Sequence, residues 1–274
     1  DAVRVGAAVK NNEGEWVLLN RNQTALMFVY YMITRWKELG MINGKEYIVK
    51  TIGTTELIRT IAERNGVELY DVYTGFKWIA DVMKKNEGKK NYIGGGEESY
   101  GFLCEDFVRD KDAVSACAIL AEIAAWAKDQ GITMFQLLQN IYVQYGFSKE
   151  KGISVVKKGK SGAEEIEAMM KNFRENPLQE IAGSKVSLFY DYASLKGYSY
   201  IDKETITLDM PTTSNVLQYF TEDNTKVSIR PSGTEPKIKF YCEVHSKVKS
   251  LEDLPEAEKA AEEKINQIKA SLGI

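Results

Sequence analysis

Asn91-Tyr92-Ile93-Gly94-Gly95-Gly96-Glu97-Glu98-Ser99-Tyr100-Gly101-Phe102 is a β-type run that passes into three glycines and ends in two carboxylates and a hydroxyl. Tyr and Ile favour a pleated, half-buried strand and consecutive glycines weaken one, so the stretch reads as a strand followed by a flexible polar loop. Glycine lets a backbone come close to a ligand, and carboxylates accept hydrogen bonds from vicinal hydroxyls such as those of a sugar. A solvated loop with adjacent acids is the competing reading of the same residues. The stretch is no dinucleotide fingerprint, because Gly96 is followed by Glu97, Glu98 and Ser99, with no glycine until Gly101.

Outward from this stretch, strands and helices alternate. Upstream lie a helical pattern from Thr24 to Leu39, a β run at Tyr47-Ile48-Val49, a helix opening at Thr54-Thr55-Glu56, a β run from Val67 to Val72 and a helix from Gly75. Downstream, an Ala-rich helix from Asp112 to Gln130 and a helix from Met134 to Tyr145 close an α/β layer domain whose strand-end loops form a site. Residues 148–162, rich in Lys, Gly and Ser with a short β run at Ile153 to Val156, mark the boundary region. Beyond it come a helix from Ala163 to Arg174, five β runs between Lys185 and Val244, and an amphipathic helix from Pro255. The expected fold is α/β overall: a mixed-sheet α/β layer domain over 23–147, then a smaller α+β domain over 148–274. Residues 1–22 read as a hairpin left from a preceding α/β domain, and the start at Asp1-Ala2-Val3 without methionine suggests a fragment.

A chain of 274 residues is comfortable for two cores. Its 36 Lys and Arg interleave with 39 Asp and Glu for a net charge of -3, so no basic stripe argues for nucleic acid. Cys104, Cys117 and Cys242 are odd in number, far apart and in apolar surroundings, and read as reduced core residues rather than a zinc cluster. The longest uncharged apolar stretch, Asn22 to Thr34, is shorter than the roughly 20 residues that span a bilayer, and no signal peptide opens the chain. A cytoplasmic protein without membrane partners is expected.

Three further segments carry candidate chemistry. Arg230-Pro231-Ser232-Gly233-Thr234-Glu235-Pro236-Lys237 sits between two strands. Arg230 offers a fork for phosphate oxygens, Ser232 and Thr234 offer hydroxyls, Gly233 lets backbone N–H groups converge, and Lys237 and Lys239 add charge. Spacing alone does not separate such an anion cradle from an ordinary hairpin turn. Lys111, in Arg109-Asp110-Lys111-Asp112, opens a helix; it could reach a reacting oxygen or belong to a plain capped start. Thr74-Gly75-Phe76-Lys77 lies between strand and helix, where substrate loops and plain turns both occur. His245, the single histidine, has no triad partner near it in sequence and reads as structural.

Taken in order, the Thr74, Gly96–Gly101, Arg109–Asp112 and Arg230–Lys237 segments resemble the α-D-phosphohexomutases, the phosphoglucomutase/phosphomannomutase family, over essentially the whole chain. Residues 24–145 resemble that family's third domain, 153–274 its fourth and 1–22 the end of its second. The resemblance implies a carbohydrate-metabolism isomerase that interconverts hexose 1-phosphate and hexose 6-phosphate through an enzyme phosphoserine and a hexose 1,6-bisphosphate. It places the sugar grip on Glu97 and Ser99, the substrate loop on Thr74 and Gly75, and the distal-phosphate loop on Arg230, Ser232, Gly233 and Thr234, with Lys237 beside it. A proton-transfer role falls on Lys111.

The departures matter too. The family's metal loop reads Asp-x-Asp-x-Asp-Arg; aligning its arginine with Arg4 leaves Asp1 as the middle acid and Val3 in place of the last. One carboxylate does not hold Mg²⁺ tightly, so the ion is expected in the parent enzyme and not on these residues. The serine loop has no counterpart here, and Arg21 and Ala113 stand where glycines are usual. A catalytically silent fragment is therefore expected. A stand-alone sugar-phosphate binding module is the alternative, and a nucleic-acid binder lacks both aromatic platform and basic groove.

Overall fold

The computed structural model describes residues 2–157, 159–233 and 235–274. The chain folds into two units, 1–146 with 247–251 and 147–246 with 252–274. The first holds β1 (Ala8–Lys10), β2 (Trp16–Leu18), α1 (Arg21–Glu38), β3 (Glu46–Thr51), α2 (Leu57–Arg64), β4 (Glu68–Val72), α3 (Phe76–Asn86), β5 (Asn91–Glu97), β6 (Gly101–Cys104), α4 (Ala113–Asp129) and α5 (Met134–Tyr145). β1 and β2 make their own two-stranded sheet, while the main sheet runs β4-β3-β5-β6, parallel except for antiparallel β6. The chain leaves β3 for β4 on one side and returns to β5 on the other, so the loops at the carboxyl ends of β3 and β5 flank a switch of direction, the usual place for a ligand.

Helices cover both faces of this sheet. On one, Tyr47, Val49, Tyr92 and Leu103 pack with Phe76, Ile79 and Met83 of α3. On the other, Phe28 of α1 stacks on Phe102 at 4.5 Å between centroids. β3 is buried along its whole length, charged residues included, as expected for an inner parallel strand. Asn20 caps α1 through a reciprocal box with Gln23, and Thr133 caps α5 in the same way through Gln136.

The glycine run corrects the sequence expectation. Gly94, Gly95 and Gly96 are not a loop but the interior of β5. A Cβ on Gly95 would stand 2.5 Å from the Val49 carbonyl oxygen and 2.6 Å from the Tyr92 hydroxyl, and one on Gly96 would stand 2.6 Å from the Phe102 ring. The missing side chains let the neighbouring backbone and the Phe102 ring press against the strand, a demand of packing stronger than the weak strand propensity of glycine.

The second unit holds β7 (Phe147–Val156), α6 (Gly159–Glu175), β8 (Glu180–Ile181), β9 (Ser184–Asp191), β10 (Lys196–Ser199), β11 (Glu204–Thr207), β12 (Leu217–Thr221), β13 (Lys226–Pro231), β14 (Lys237–Ser246) and α7 (Leu254–Leu272). Its antiparallel sheet runs β11-β10-β9-β12-β13-β14-β7, with β8 added beside β9. Burial alternates along β10 and along β14 as far as Cys242, the signature of a sheet with one covered face. α6 and α7 pack on it, Phe173 meeting Phe240 edge to face.

Residues 148–151, read from sequence as boundary, belong to β7, which pairs with β14 over its full length. Their charges suit an edge strand: Lys149 lies 2.9 Å from Glu258 and 3.4 Å from Glu262 of α7, and Lys151 also pairs with Glu262. Cys104 and Cys242 are buried and Cys117 is exposed, so the core reading fails for Cys117, which faces outward on α4; all three are free. No described helix is long and apolar enough to cross a membrane.

Candidate functional site

Three of the four sequence segments meet in the first unit at the carboxyl end of the sheet. The period of two along a strand sends Glu97 and Glu98 to opposite sides, and their surroundings diverge. Glu98 is 5% exposed. One of its oxygens accepts from the Thr51 hydroxyl at 2.5 Å, the other from the Thr74 hydroxyl at 2.7 Å, and its carboxyl carbon would touch a Cβ on Gly53 at 3.1 Å. Glu98 is therefore committed inside the protein.

Glu97 is also 5% exposed, and its side chain makes no hydrogen bond or ion pair among the described residues. Its carboxylate and the stem of Lys111 lie together over Gly101: a Cβ there would meet Glu97 Oε1 at 2.8 Å and Lys111 Cδ at 2.7 Å. The Lys111 ammonium reaches Asp110 at 3.3 Å and lies 5.6 Å from the centre of the Phe76 ring. A carboxylate with open acceptor positions beside a lysine can take hydroxyl hydrogens and a developing charge at one place. Asp112 is what the plain reading made it, the cap of α4, accepting from the backbone N–H groups of Val114 and Ser115; the Ser115 side chain first, then these N–H groups, hold its carboxyl below the usual range.

The Thr74–Gly75 loop is shaped by Gly75, whose φ of 121° is a conformation that side-chain-bearing residues rarely adopt. Thr74 is half-buried, and its hydroxyl is spent on Glu98. Ser99 is half-buried; Tyr100, next to it, holds a left-handed φ of 67° with its carbonyl accepting from the Val5 N–H at 3.1 Å. Such strain in a residue other than glycine costs about 1–3 kcal/mol and gathers at functional loops. Sequence reasoning assigned no role to Glu98 or Thr51. Thr51-Ile52-Gly53-Thr54 directly after a β run was the available signal for a strand-end loop.

The fourth segment lies in the second unit, at the turn between β13 and β14. The register sets Arg230 directly opposite Lys239, two like charges facing across the ladder, which an unliganded hairpin disfavours and an anion would relieve. Arg230 is exposed. The Ser232 N–H donates to the Lys237 carbonyl at 2.7 Å, closing the turn. Lys237 is drawn to Glu235 at 2.7 Å, a bond that holds the Glu235 carboxyl below its usual range, so the charge expected to face an anion is shared inside the turn. Packing does not require glycine at Gly233, where a Cβ would meet nothing.

With this geometry in view, the comparisons are decisive. Residues 20–145 match the model of the phosphoglucomutase/phosphomannomutase α/β/α domain III, and residues 154–261 match that of the C-terminal domain of the same proteins. The chain belongs to the phosphoglucomutase/phosphomannomutase family. A phosphoglucomutase of Staphylococcus aureus strain MSSA476 is 36% identical over 254 residues, covering 93% of this chain and 45% of that relative's own length. Solved structures share the fold: parafusin, a Paramecium phosphoglucomutase, superposes with a TM-score of 0.61 at 17% identity over 98% of this chain and 44% of its own. An Aspergillus fumigatus N-acetylphosphoglucosamine mutase in complex with GlcNAc-6P and magnesium gives 0.50 at 12% identity over 98% and 50%. The chain thus spans about half the length of the phosphohexomutases it matches.

Two residues that the family resemblance singled out, Asp1 and Thr234, lie outside the described residues. Among the described residues no group of three or more His, Cys, Asp or Glu side chains is placed to hold a metal ion.

Proposed function

We propose that this chain carries the sugar grip and the distal-phosphate cradle of a phosphohexomutase, which interconverts hexose 1-phosphate and hexose 6-phosphate through a phosphoserine and a hexose 1,6-bisphosphate. The observation that carries the reading is the pairing of an uncommitted, nearly buried Glu97 carboxylate with Lys111 over Gly101. The carboxylate accepts sugar hydroxyls, aided by Ser99 and the Thr74–Gly75 backbone, while Lys111 assists the proton that leaves the attacking hydroxyl. Arg230, Ser232, Gly233 and Thr234 take the phosphate that is not reacting, with Lys237 beside them.

Such an enzyme turns its bisphosphate end for end, so it needs a fixed grip for whichever phosphate is idle and an acceptor for the ring hydroxyls that tolerates both orientations; positioning then lowers the barrier. None of these residues is assigned as the phosphoserine or as a ligand of Mg²⁺, so binding and the proton step at Lys111 are the parts of the reaction proposed for them. Calorimetric titration with glucose 1,6-bisphosphate, then glucose 1-phosphate, tests this. Saturable binding indifferent to Mg²⁺ is expected, and Arg230→Ala should weaken it by about 1.5–3 kcal/mol, the range of a charge-assisted hydrogen bond. Equal affinity in that variant would remove the phosphate loop from the proposal.

A further inference from the structure

Glu98 is a buried carboxyl group at the end of a central strand with no ion pair among the described residues. Lys50, the one Lys or Arg within the strands of this sheet, is spent on Glu56 and Asp71, each at 2.8 Å. A group so placed costs free energy unless hydrogen bonds compensate, and here the compensation comes from two hydroxyls on two other strand ends, Thr51 closing β3 and Thr74 following β4. One side chain thus ties together the loops that follow three parallel strands. Gly53 leaves the room: a side chain there would press on the Glu98 carboxyl group.

From this geometry we infer that Glu98 is a positioning residue, which fixes the Thr74–Gly75 substrate loop by capturing the Thr74 hydroxyl, so that the loop meets the sugar through its backbone. The substrate role rests on the proposed function; the fixing of the loop does not. The consequence for Thr74 is specific. Its hydroxyl faces inward, so it acts on affinity through loop order rather than by touching a ligand, and serine serves in its place. Thr51 contributes the same bond from the opposite side but holds no ligand loop.

The experiment combines amide hydrogen exchange with calorimetric titration of glucose 1,6-bisphosphate on this chain and its Glu98→Gln, Thr74→Val, Thr74→Ser and Thr51→Val variants. Losing one ordinary hydrogen bond is worth about tenfold, so Thr74→Val and Glu98→Gln should each speed exchange at Thr74–Phe76 and weaken binding by about that factor. Thr74→Ser should restore both. Thr51→Val, a comparable cut to stability, should leave exchange at Thr74–Phe76 within about threefold of the parent, well short of the effect of one lost bond. If Thr51→Val and Thr74→Val moved loop and affinity equally, Glu98 would be a structural polar group and no more. If Glu98→Gln folded with unchanged exchange at Thr74–Phe76, the inference would be wrong. Absence of sugar bisphosphate binding in the parent chain would overturn the proposed function, while the exchange data would still decide whether Glu98 fixes the loop.

Discussion

Glu98 and Glu243 are both nearly shut off from water, at 5% and 3% exposure, yet they are held in opposite ways. Glu243 sits mid-ladder in β14, opposite Lys226 on β13, whose ammonium lies 3.0 Å away, and its other oxygen faces His245 at 2.8 Å and Ser148 at 3.3 Å. Glu98 sits past the end of β5 and has two neutral hydroxyls. A carboxylate matched by charge inside a sheet serves the ladder; one held by hydroxyls at strand ends serves the loops.

The sharpest break of that comparison is Glu243→Gln. That change takes the charge from the carboxylate facing the Lys226 ammonium, a pair at 2% and 4% side-chain exposure, so unfolding stability of the second unit should fall by about 3–5 kcal/mol in urea titrations. Replacing both, as Lys226→Met with Glu243→Leu, should return to within about 1 kcal/mol of the parent, because apolar isosteres avoid the desolvation cost. Equal losses in the single and the double variants would mean that the pair is not what organises β13 and β14. Glu98→Gln, with no ion pair to break, should cost less than Glu243→Gln.

Glycines make a second contrast. Gly95→Ala would drive a methyl into the Tyr92 hydroxyl and the Val49 carbonyl, the latter backbone of a central strand, and should destabilise the first unit by about 1–3 kcal/mol. Gly233→Ala enters open space and should leave the melting of the second unit unchanged. Calorimetric scans of both variants that showed the reverse order would undo the account of the glycine run as close packing.

That run also shows where the sequence was legible and where it was not. Helical periods over 134–145 and the alternation of strands with helices are local signals; they placed α5 and the succession β3, α2, β4, α3, β5, but not β6, which falls where a polar loop was expected. The four candidate segments stand out in the sequence because each couples turn residues to charged or hydroxyl groups. What propensity could not give was non-local: that Phe102 and Val49 press on the glycines, that Glu98 meets threonines 47 and 24 residues upstream, and that Lys149 and Lys151 make a strand edge by facing α7. Each depends on which strands become neighbours. His245 belongs to the same class, since its carboxylate partner is two residues away but its burial is made by other strands.

The smallest expected effect is the pH dependence of that histidine. Burial alone would lower the imidazole, but Glu243 at 2.8 Å, with Glu150 of β7 beyond it, outweighs both burial and the repulsion of Lys226, and the group is raised above its ordinary value. Because the folded state then holds the proton more tightly than the unfolded chain, the contribution is complete below about pH 6.5, the unfolded value, and is lost as pH rises through the raised folded one. Urea midpoints measured from pH 6 to 9 should therefore decline for the second unit, and His245→Gln should flatten that decline. In Glu243→Gln the largest cause of the raised value is gone, so the decline over the same range should shrink. A parent profile without any slope would mean that the imidazole stays neutral beside Glu243.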